Sequence, residues 1–277
     1  MLFRSRKVAD VEMIRVAAHA GRRAVIIGGG YIGLETAASL RALGLEVTVL
    51  EATGRVLERV TAPEVSAFFD RIHRQEGVKI RTGVLVEVLS GEDRVREVVL
   101  SGGESIPADL VIVGIGVEPN TDLAAAAGLV IDNGVVIDDQ ARTSDPDIVA
   151  AGDCASHSMA RYSRPLRLES VPSAHEQAKV AAATVCGKSK KIAALPWFWS
   201  DQYDLKLQIA GLNTGYDEVI LSGDPTRDRD FTCFYLREGE LIGADCINRP
   251  RDFMFSKRVI TQQLPIDRTE LALASSA

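Results

Sequence analysis

Apolar and polar positions along this chain switch between two periods, and the switches mark its elements. Residues 24–27 form a continuous apolar run, the pattern of a strand buried on both faces of a parallel sheet. Over residues 31–43 the apolar spacing becomes helical, Gly44 closes that segment, and residues 46–50 read as a second strand. Upstream, residues 11–20 have helical spacing. Downstream, Pro63 stands where a helix begins, with Thr61 near its cap. Val65, Phe68, Phe69 and Ile72 line one face of that helix and Gly77 stops it. His73 on the same helix reads as a surface or half-buried position. Residues 78–81 form a short strand, and the alternating segments 84–89, 95–101 and 104–106 predict an antiparallel meander. Residues 109–113 then return as an apolar strand ending in Gly114-Ile115-Gly116.

The second half is more broken. Val117-Glu118-Pro119-Asn120 reads as a crossover, followed by a short helix at 123–127 and strands at 135–137 and 148–151. The last of these runs into Gly152-Asp153. Residues 165–172 are irregular, with Arg161, Arg164 and Arg167 in or near them as solvated loop charges. Ser173 can cap a helix over 174–186, with Glu176 placed as in a capping box and His175 exposed in its first turn. Residues 187–191 are a polar link. Both tryptophans lie in Pro196-Trp197-Phe198-Trp199-Ser200-Asp201-Gln202-Tyr203, an aromatic cluster whose residue types favour the core. Residues 205–210, 218–222, 231–237 and 240–247 read as strands, 253–261 as a closing helix, and the tail after Leu271 as frayed.

Composition narrows the function. The 277 residues are 46% hydrophobic and 25% charged, as in an ordinary globular protein, and are enough for two or three domains. A net charge of −6 argues against general nucleic-acid binding. No apolar run has the length of a membrane span, and the N-terminus lacks the apolar core of a secretory signal. Cys154, Cys186, Cys233 and Cys246 are far apart and form no C-x-x-C, which disfavours both a redox dithiol and structural zinc. A reducing cytoplasm is the expected compartment.

The chemistry is concentrated after the first strand. Gly28, Gly30 and Gly33 occupy the glycine places of G-x-G-x-x-G between a strand and a helix. The first permits the sharp turn, the second close approach of backbone to a pyrophosphate, and the third close packing of helix on strand. The helix start adds unpaired N–H groups and partial positive charge. Glu51 ends the next strand, where a carboxylate accepts hydrogen bonds from an adenosine ribose and repels a 2′-phosphate, so NAD is favoured over NADP. Arg55 keeps some tolerance for NADP. Gly114 and Gly116, at the carboxyl end of another strand, are placed for a second nucleotide contact.

Taken together, the motifs resemble those of the FAD- and NADH-dependent ferredoxin (rubredoxin) reductases of oxygenase systems, the family that includes putidaredoxin reductase. The resemblance covers nearly the whole chain. It rests on Gly28 to Glu35, on Gly114-Ile115-Gly116-Val117-Glu118-Pro119-Asn120, on Ala151-Gly152-Asp153-Cys154, on Glu169 to Gln177 and on Trp197 to Tyr203. It implies that Gly28, Gly30, Tyr31, Gly33, Glu51, Gly114 and Gly116 bind NADH, with Ile32 and Glu35 near the nicotinamide. It implies that Asp153 bonds the ribityl chain of FAD, that Val171 touches the flavin ring and that Trp199 closes over it. Arg6 matches a family arginine at the FAD, although Arg4-Ser5-Arg6 stands where Tyr-Leu-Arg is usual, and Ser173 replaces a usual asparagine.

The expected architecture is therefore α/β. A Rossmann-like NAD-binding domain with an antiparallel meander (1–117) is followed by part of an FAD-binding domain (118–188) and a C-terminal α+β domain (189–277). The family also has a first glycine-rich βαβ unit for the ADP half of FAD. The one unit here matches the family's second, so the expectation is either a truncated gene or a missing FAD-binding polypeptide that completes the site. The implied activity is NADH-dependent reduction, via FAD, of a [2Fe–2S] ferredoxin or a rubredoxin, with no side chain acting as nucleophile or general acid. Lys179 and Lys206 are candidates for docking an acidic partner. The alternative is a chain that binds NADH without flavin and catalyses nothing.

Overall fold

A computed structural model describes residues 2–3, 7–162 and 164–273 of the chain. Arg6 and the tail after Leu273 lie outside the described residues. The first part contains β1 (Leu2–Phe3), α1 (Val8–Ala17), β2 (Arg23–Ile27), α2 (Tyr31–Ala42), β3 (Glu46–Leu50), α3 (Pro63–Gln75) and β4 (Lys79–Arg81). A meander of β5 (Val86–Gly91), β6 (Val95–Leu100) and β7 (Ser105–Pro107) follows, and then β8 (Leu110–Val113). The strands outside the meander form one parallel sheet in the order β1-β8-β2-β3-β4. β2 is buried on both faces because both are covered. Ala24 and Ile26 pack with Leu34, Val65 and Phe69 on the helical side, while Val25 packs with Val98 and Leu100 of the meander. The helix expected after Pro63 buries Val65, Phe68, Phe69 and Ile72. Its cap is Ala62 rather than Thr61, whose hydroxyl instead turns inward to the Leu57 carbonyl.

The chain continues through α4 (Asp122–Ala126), β9 (Val135–Ile137), β10 (Ala155–Met159), β11 (Arg164–Leu166) and α5 (Val171–Val185). β10 lies parallel to β9 and antiparallel to β11. Here three expectations are corrected. Residues 148–151 are not a strand: their one pairing is a bridge between Arg142 and Val149, and an extended segment needs a neighbouring ladder to become a strand. The capping serine is Ser170, which accepts from the Ser173 N–H at 3.3 Å, so the helix starts three residues before the expected one, with Pro172 tolerated in its first turn. Arg167 is not a solvated loop charge. Its side chain is only 10% exposed and pairs with Glu169 at 2.5 Å.

The last part is a five-stranded antiparallel sheet of β12 (Trp197–Gln202), β13 (Leu205–Gly211), β14 (Glu218–Ser222), β15 (Phe231–Arg237) and β16 (Glu240–Ile247). It is followed by α6 (Pro250–Gln262) and the unforeseen α7 (Arg268–Leu273). The strand order is β12-β13-β16-β15-β14. One face carries Phe234, Leu236, Ala244 and Cys246 onto Phe253, Val259 and Ile260 of α6. The other carries Leu205, Leu207, Phe231 and Tyr235 into the same core as Phe68 and Phe69 of α3, with Phe68 and Phe231 ring centroids 4.9 Å apart. This contact overturns the surface reading of His73. The ring is fully buried beneath β12, bonded to Gln202 and Tyr203. All four cysteines are free thiols, and no helix among the described residues is long and apolar enough to cross a membrane.

Candidate nucleotide site

The glycine turn between β2 and α2 is shaped by three glycines that do different work. Gly28 has φ +109°, donates its N–H to the Leu50 carbonyl at 2.8 Å, and leaves room for Gly114. A Cβ there would stand 2.3 Å from the Gly114 oxygen. At Gly33 a Cβ would stand 2.0 Å from the Gly28 oxygen, so the helix can lie on the turn only without a side chain. Gly30, the residue before α2, is different: its φ of −79° suits any residue, and an added Cβ would meet nothing within 4 Å. Gly116, with φ +115°, also faces open space. Ile32 and Ile115 beside the turn are 54% and 66% exposed. The fold thus brings Gly28, Gly33 and Gly114 into contact and leaves an open cradle at Gly30 and Gly116, which fits a phosphate carried on the helix N-terminus.

Two carboxylates near this cradle have their pKa values moved in opposite directions. Glu51 accepts from the Gly29 N–H at 2.6 Å and from the Thr53 N–H and hydroxyl at 2.8 and 2.9 Å. Partial burial alone would raise its pKa, but these donors and the Arg59 charge hold it below the ordinary glutamate value. The same carboxylate that the sequence assigns to a ribose therefore also fastens the glycine turn. Arg55, the residue kept for a 2′-phosphate, spends its guanidinium on the Glu58 and Thr61 carbonyls at 3.1 and 2.9 Å. Glu35 points from α2 toward the C-terminal sheet and accepts from Ser200 Oγ at 2.5 Å. Burial pushes its pKa up, the Ser200 bond opposes this, and Asp201 adds to the rise. Tyr31 turns its ring onto Phe198, with centroids 5.0 Å apart, and its buried hydroxyl has no hydrogen-bond partner among the described residues.

β12 is the wall shared by the two halves of the site. Its period-2 alternation sends Phe198, Ser200 and Gln202 toward α2 and α3, and Trp197 and Trp199 the other way. The two tryptophan rings lie 5.6 Å apart, Trp197 packs on Phe253, and Trp199 stays 37% exposed. A cavity of about 40 Å³ lined by Pro172, Ser173, Glu176 and Trp197 lies where α5 meets this wall. Val171, at the start of α5, is 53% exposed. The Gly152-Asp153 turn is fastened to α5 by Gln177, whose Oε1 takes the Gly152 N–H at 2.7 Å, and Arg167 holds the Asp153 carbonyl at 3.1 Å. Asp153 itself is exposed. Asp153 and Val171 are thus both tied to α5. The exposed Asp153 carboxylate can accept from hydroxyl groups, and the exposed Val171 and part-exposed Trp199 offer apolar surface, a combination that fits a ribityl chain and flavin ring. The described residues contain no second glycine loop of the Gly28–Gly33 kind.

Four residues of this region escaped the sequence reading: His73, Ser200, Gln202 and Gln177. Ser200 and Gln202 did carry a signal, since they are polar residues at the parity of strand 197–202 that faces inward.

Comparison with known proteins agrees with this layout. Residues 2–178 match the family model described as pyridine nucleotide-disulphide oxidoreductase, and residues 197–276 match one described as reductase C-terminal. The chain is 49% identical to putidaredoxin reductase of Pseudomonas putida over 265 residues, covering 95% of this chain and 63% of that protein. It is 43% identical to the ferredoxin reductase subunit of a 5,5′-dehydrodivanillate O-demethylase from a Sphingobium species, covering 99% of this chain and 67% of that protein. Among solved structures it superposes on a covalent putidaredoxin reductase–putidaredoxin complex with a TM-score of 0.93 and 45% identity, covering all of this chain and 69% of that one. It superposes equally, at 0.93 and 42% identity, on a ferredoxin reductase from Rhodopseudomonas palustris, covering 98% of this chain and 67% of that one. The chain thus spans about two thirds of the length of the relatives it matches. On the strength of these matches and of the glycine cradle, the chain belongs to the pyridine nucleotide-disulphide oxidoreductase family.

Proposed function

We propose that the chain works as an NADH-dependent flavoprotein reductase that passes electrons through FAD to a small iron–sulfur protein, a [2Fe–2S] ferredoxin or a rubredoxin, of an oxygenase system. The observation that carries the nucleotide part is Gly30. Its neighbours Gly28 and Gly33 are glycines because the protein would clash with itself, whereas nothing in the protein excludes a side chain at Gly30. A ligand that needs the space supplies the missing reason. In this reading Gly28, Gly33 and Gly114 let the turn close on itself, Gly30 and Gly116 make room for the pyrophosphate, and the α2 backbone from Tyr31 supplies N–H groups. Glu51 takes the adenosine ribose, and Ile32 and Glu35 face the nicotinamide. The engaged Arg55 supports NADH over NADPH.

The names of the relatives support the electron acceptor, and the exposed set of Asp153, Val171 and Trp199 supports the flavin. When bound, FAD would accept a hydride from NADH and release electrons one at a time, while the protein orients the two cofactors and keeps water from the ring. We assign residues 1–117, 118–188 and 189–277 to the NAD-binding, FAD-binding and C-terminal domains, supported by family matches that fall on either side of the 187–191 link. The working compartment would be the cytoplasm. Lys179 and Lys206 would face the acidic partner; both are exposed, and Lys206 lies 3.9 Å from Asp201.

Gly30→Asp tests the nucleotide site directly. Aspartate is a preferred residue at that helix cap, so melting is expected to stay within about 1 kcal/mol of the wild type. NADH affinity is expected to fall at least about a hundredfold because the carboxylate occupies and repels the phosphate position. Unchanged NADH binding would remove the site. The absorbance of the purified chain titrated with FAD tests the flavin part. A chain that binds NADH but takes up no FAD would favour the non-catalytic reading for this polypeptide alone.

A further inference from the structure

Four hydrogen bonds form a chain that leaves the glycine-loop helix, crosses β12 and ends at the corner of the C-terminal sheet. Ser200 Oγ donates to Glu35 Oε1 at 2.5 Å, and Gln202 Nε2 donates to Ser200 Oγ at 3.1 Å. His73 Nε2 lies 2.8 Å from Gln202 Oε1, and the Tyr203 hydroxyl lies 2.9 Å from His73 Nδ1. An amide oxygen only accepts, so with Gln202 Nε2 committed to Ser200 the network assigns the proton to His73 Nε2. Nδ1 of the neutral ring is then the acceptor, and Tyr203 donates to it. Every bond points the same way, from Tyr203 to the Glu35 carboxylate.

The arrangement is costly to build. His73, Ser200 and Gln202 are each at most 1% exposed, and apolar side chains there would seal the interface without desolvating three polar groups. Tyr203 sits at φ +57°, a left-handed conformation that a bulky aromatic residue rarely adopts. It brings the hydroxyl to His73 from the turn between β12 and β13. What an apolar filling could not do is give one carboxylate a single donor and a single orientation.

We propose that His73, acting through Gln202 and Ser200, is a positioning residue that holds the Glu35 carboxylate ionised and in one orientation at the start of α2. The role rests on the reading that Glu35 faces the nicotinamide of NADH, whose carboxamide N–H groups suit a fixed carboxylate acceptor. The charged surroundings agree. Burial and Asp201 push Glu35 toward its neutral form, and the Ser200 donor opposes them. Burial keeps His73 neutral against the Gln202 bond and the pull of Asp70, as the direction of the chain requires. Burial and Glu76 hold the Tyr203 phenol protonated against Arg41 and Arg229.

The test follows the side-chain carboxyl resonances of carbon-13-labelled glutamate in the full chain, with Glu35 assigned from Glu35→Gln. Ser200→Ala is expected to raise the Glu35 midpoint by about one pH unit and His73→Leu by about half a unit. His73→Gln, whose amide N–H still reaches Gln202 Oε1, should restore the wild-type midpoint. NADH affinity, read by its fluorescence, should fall about threefold in His73→Leu and recover in His73→Gln. A Glu35 midpoint that does not move in folded His73→Leu overturns the proposal. If that variant does not fold, Tyr203→Phe, which removes only the hydroxyl, should still raise the midpoint, and an unmoved midpoint there overturns the proposal instead. Wild-type protein that binds no NADH would overturn the nicotinamide reading separately, because the titration needs no nucleotide.

Discussion

Two stretches of this chain look alike: residues 24–27 before Gly28, and residues 148–151 before Gly152. Each is an apolar run that feeds a glycine with positive φ. The first becomes the centre of the parallel sheet, paired with β3 on one side and β8 on the other. The second makes one bridge and stays irregular. The turns differ in the same sense. Gly28 and Gly33 are locked by backbone packed on backbone, whereas at Gly152 the nearest atom to an added Cβ is the Ala174 side chain at 3.9 Å. The second turn is instead held by side chains, Gln177 on the Gly152 N–H and Arg167 on the Asp153 carbonyl. A strand–glycine pattern specifies a rigid cradle only where neighbouring strands complete the ladder and another backbone presses on the glycine.

The most direct way to break this comparison is to add one methyl group to each turn. Gly33→Ala would force a contact of 2.0 Å with the Gly28 oxygen, and is expected to cost about 3 kcal/mol in chemical denaturation. Gly152→Ala meets no clash and should cost only about 1 kcal/mol, the penalty of a left-handed alanine. Equal losses would mean that the two turns are built alike.

A smaller effect separates backbone from side-chain fastening. Gln177→Met removes the acceptor of the Gly152 N–H while keeping the volume, and should destabilise the chain by about 1–2 kcal/mol. Hydrogen exchange should speed up at the Gly152 amide and stay unchanged at the Gly28 amide, which bonds to the Leu50 carbonyl. Faster exchange at both amides would show that the two turns open together.

The smallest effect concerns Glu51, whose side chain fastens the first turn. Its folded pKa is lowered, so its contribution is complete above the ordinary glutamate range and is lost as pH falls through the lowered value. Melting temperatures of the wild type and Glu51→Gln should therefore differ most near neutrality and converge in acid. A difference that persists at the lowest pH would assign the effect to shape rather than charge.

Much of the candidate nucleotide site was legible in the order of residues. Gly28, Gly30, Gly33 and Glu51 lie within one β-α-β unit, and the clash distances confirm that Gly28 and Gly33 have no room for a side chain. The meander and the C-terminal strands were legible for the same reason, since alternation and turn residues act over a few positions. The region around α5 was read less well. The cap at Ser170 and the half-buried Arg167 depend on which side chains from elsewhere fill the space beside them.

The sequence by itself determined what sterics and periodicity decide over short range: the glycine turn, the helix on it, the apolar faces of α2 and α3, and the strands of the last sheet. Only the tertiary structure decided that residues 148–151 lack a ladder, that Glu51 ties down the turn it borders, and that His73 is buried. His73 meets Gln202 across 129 positions of chain, and Glu35 meets Ser200 across 165. The state of a polar side chain is set by the donors, acceptors and water it meets. Those partners arrive only when the C-terminal sheet closes over α2 and α3.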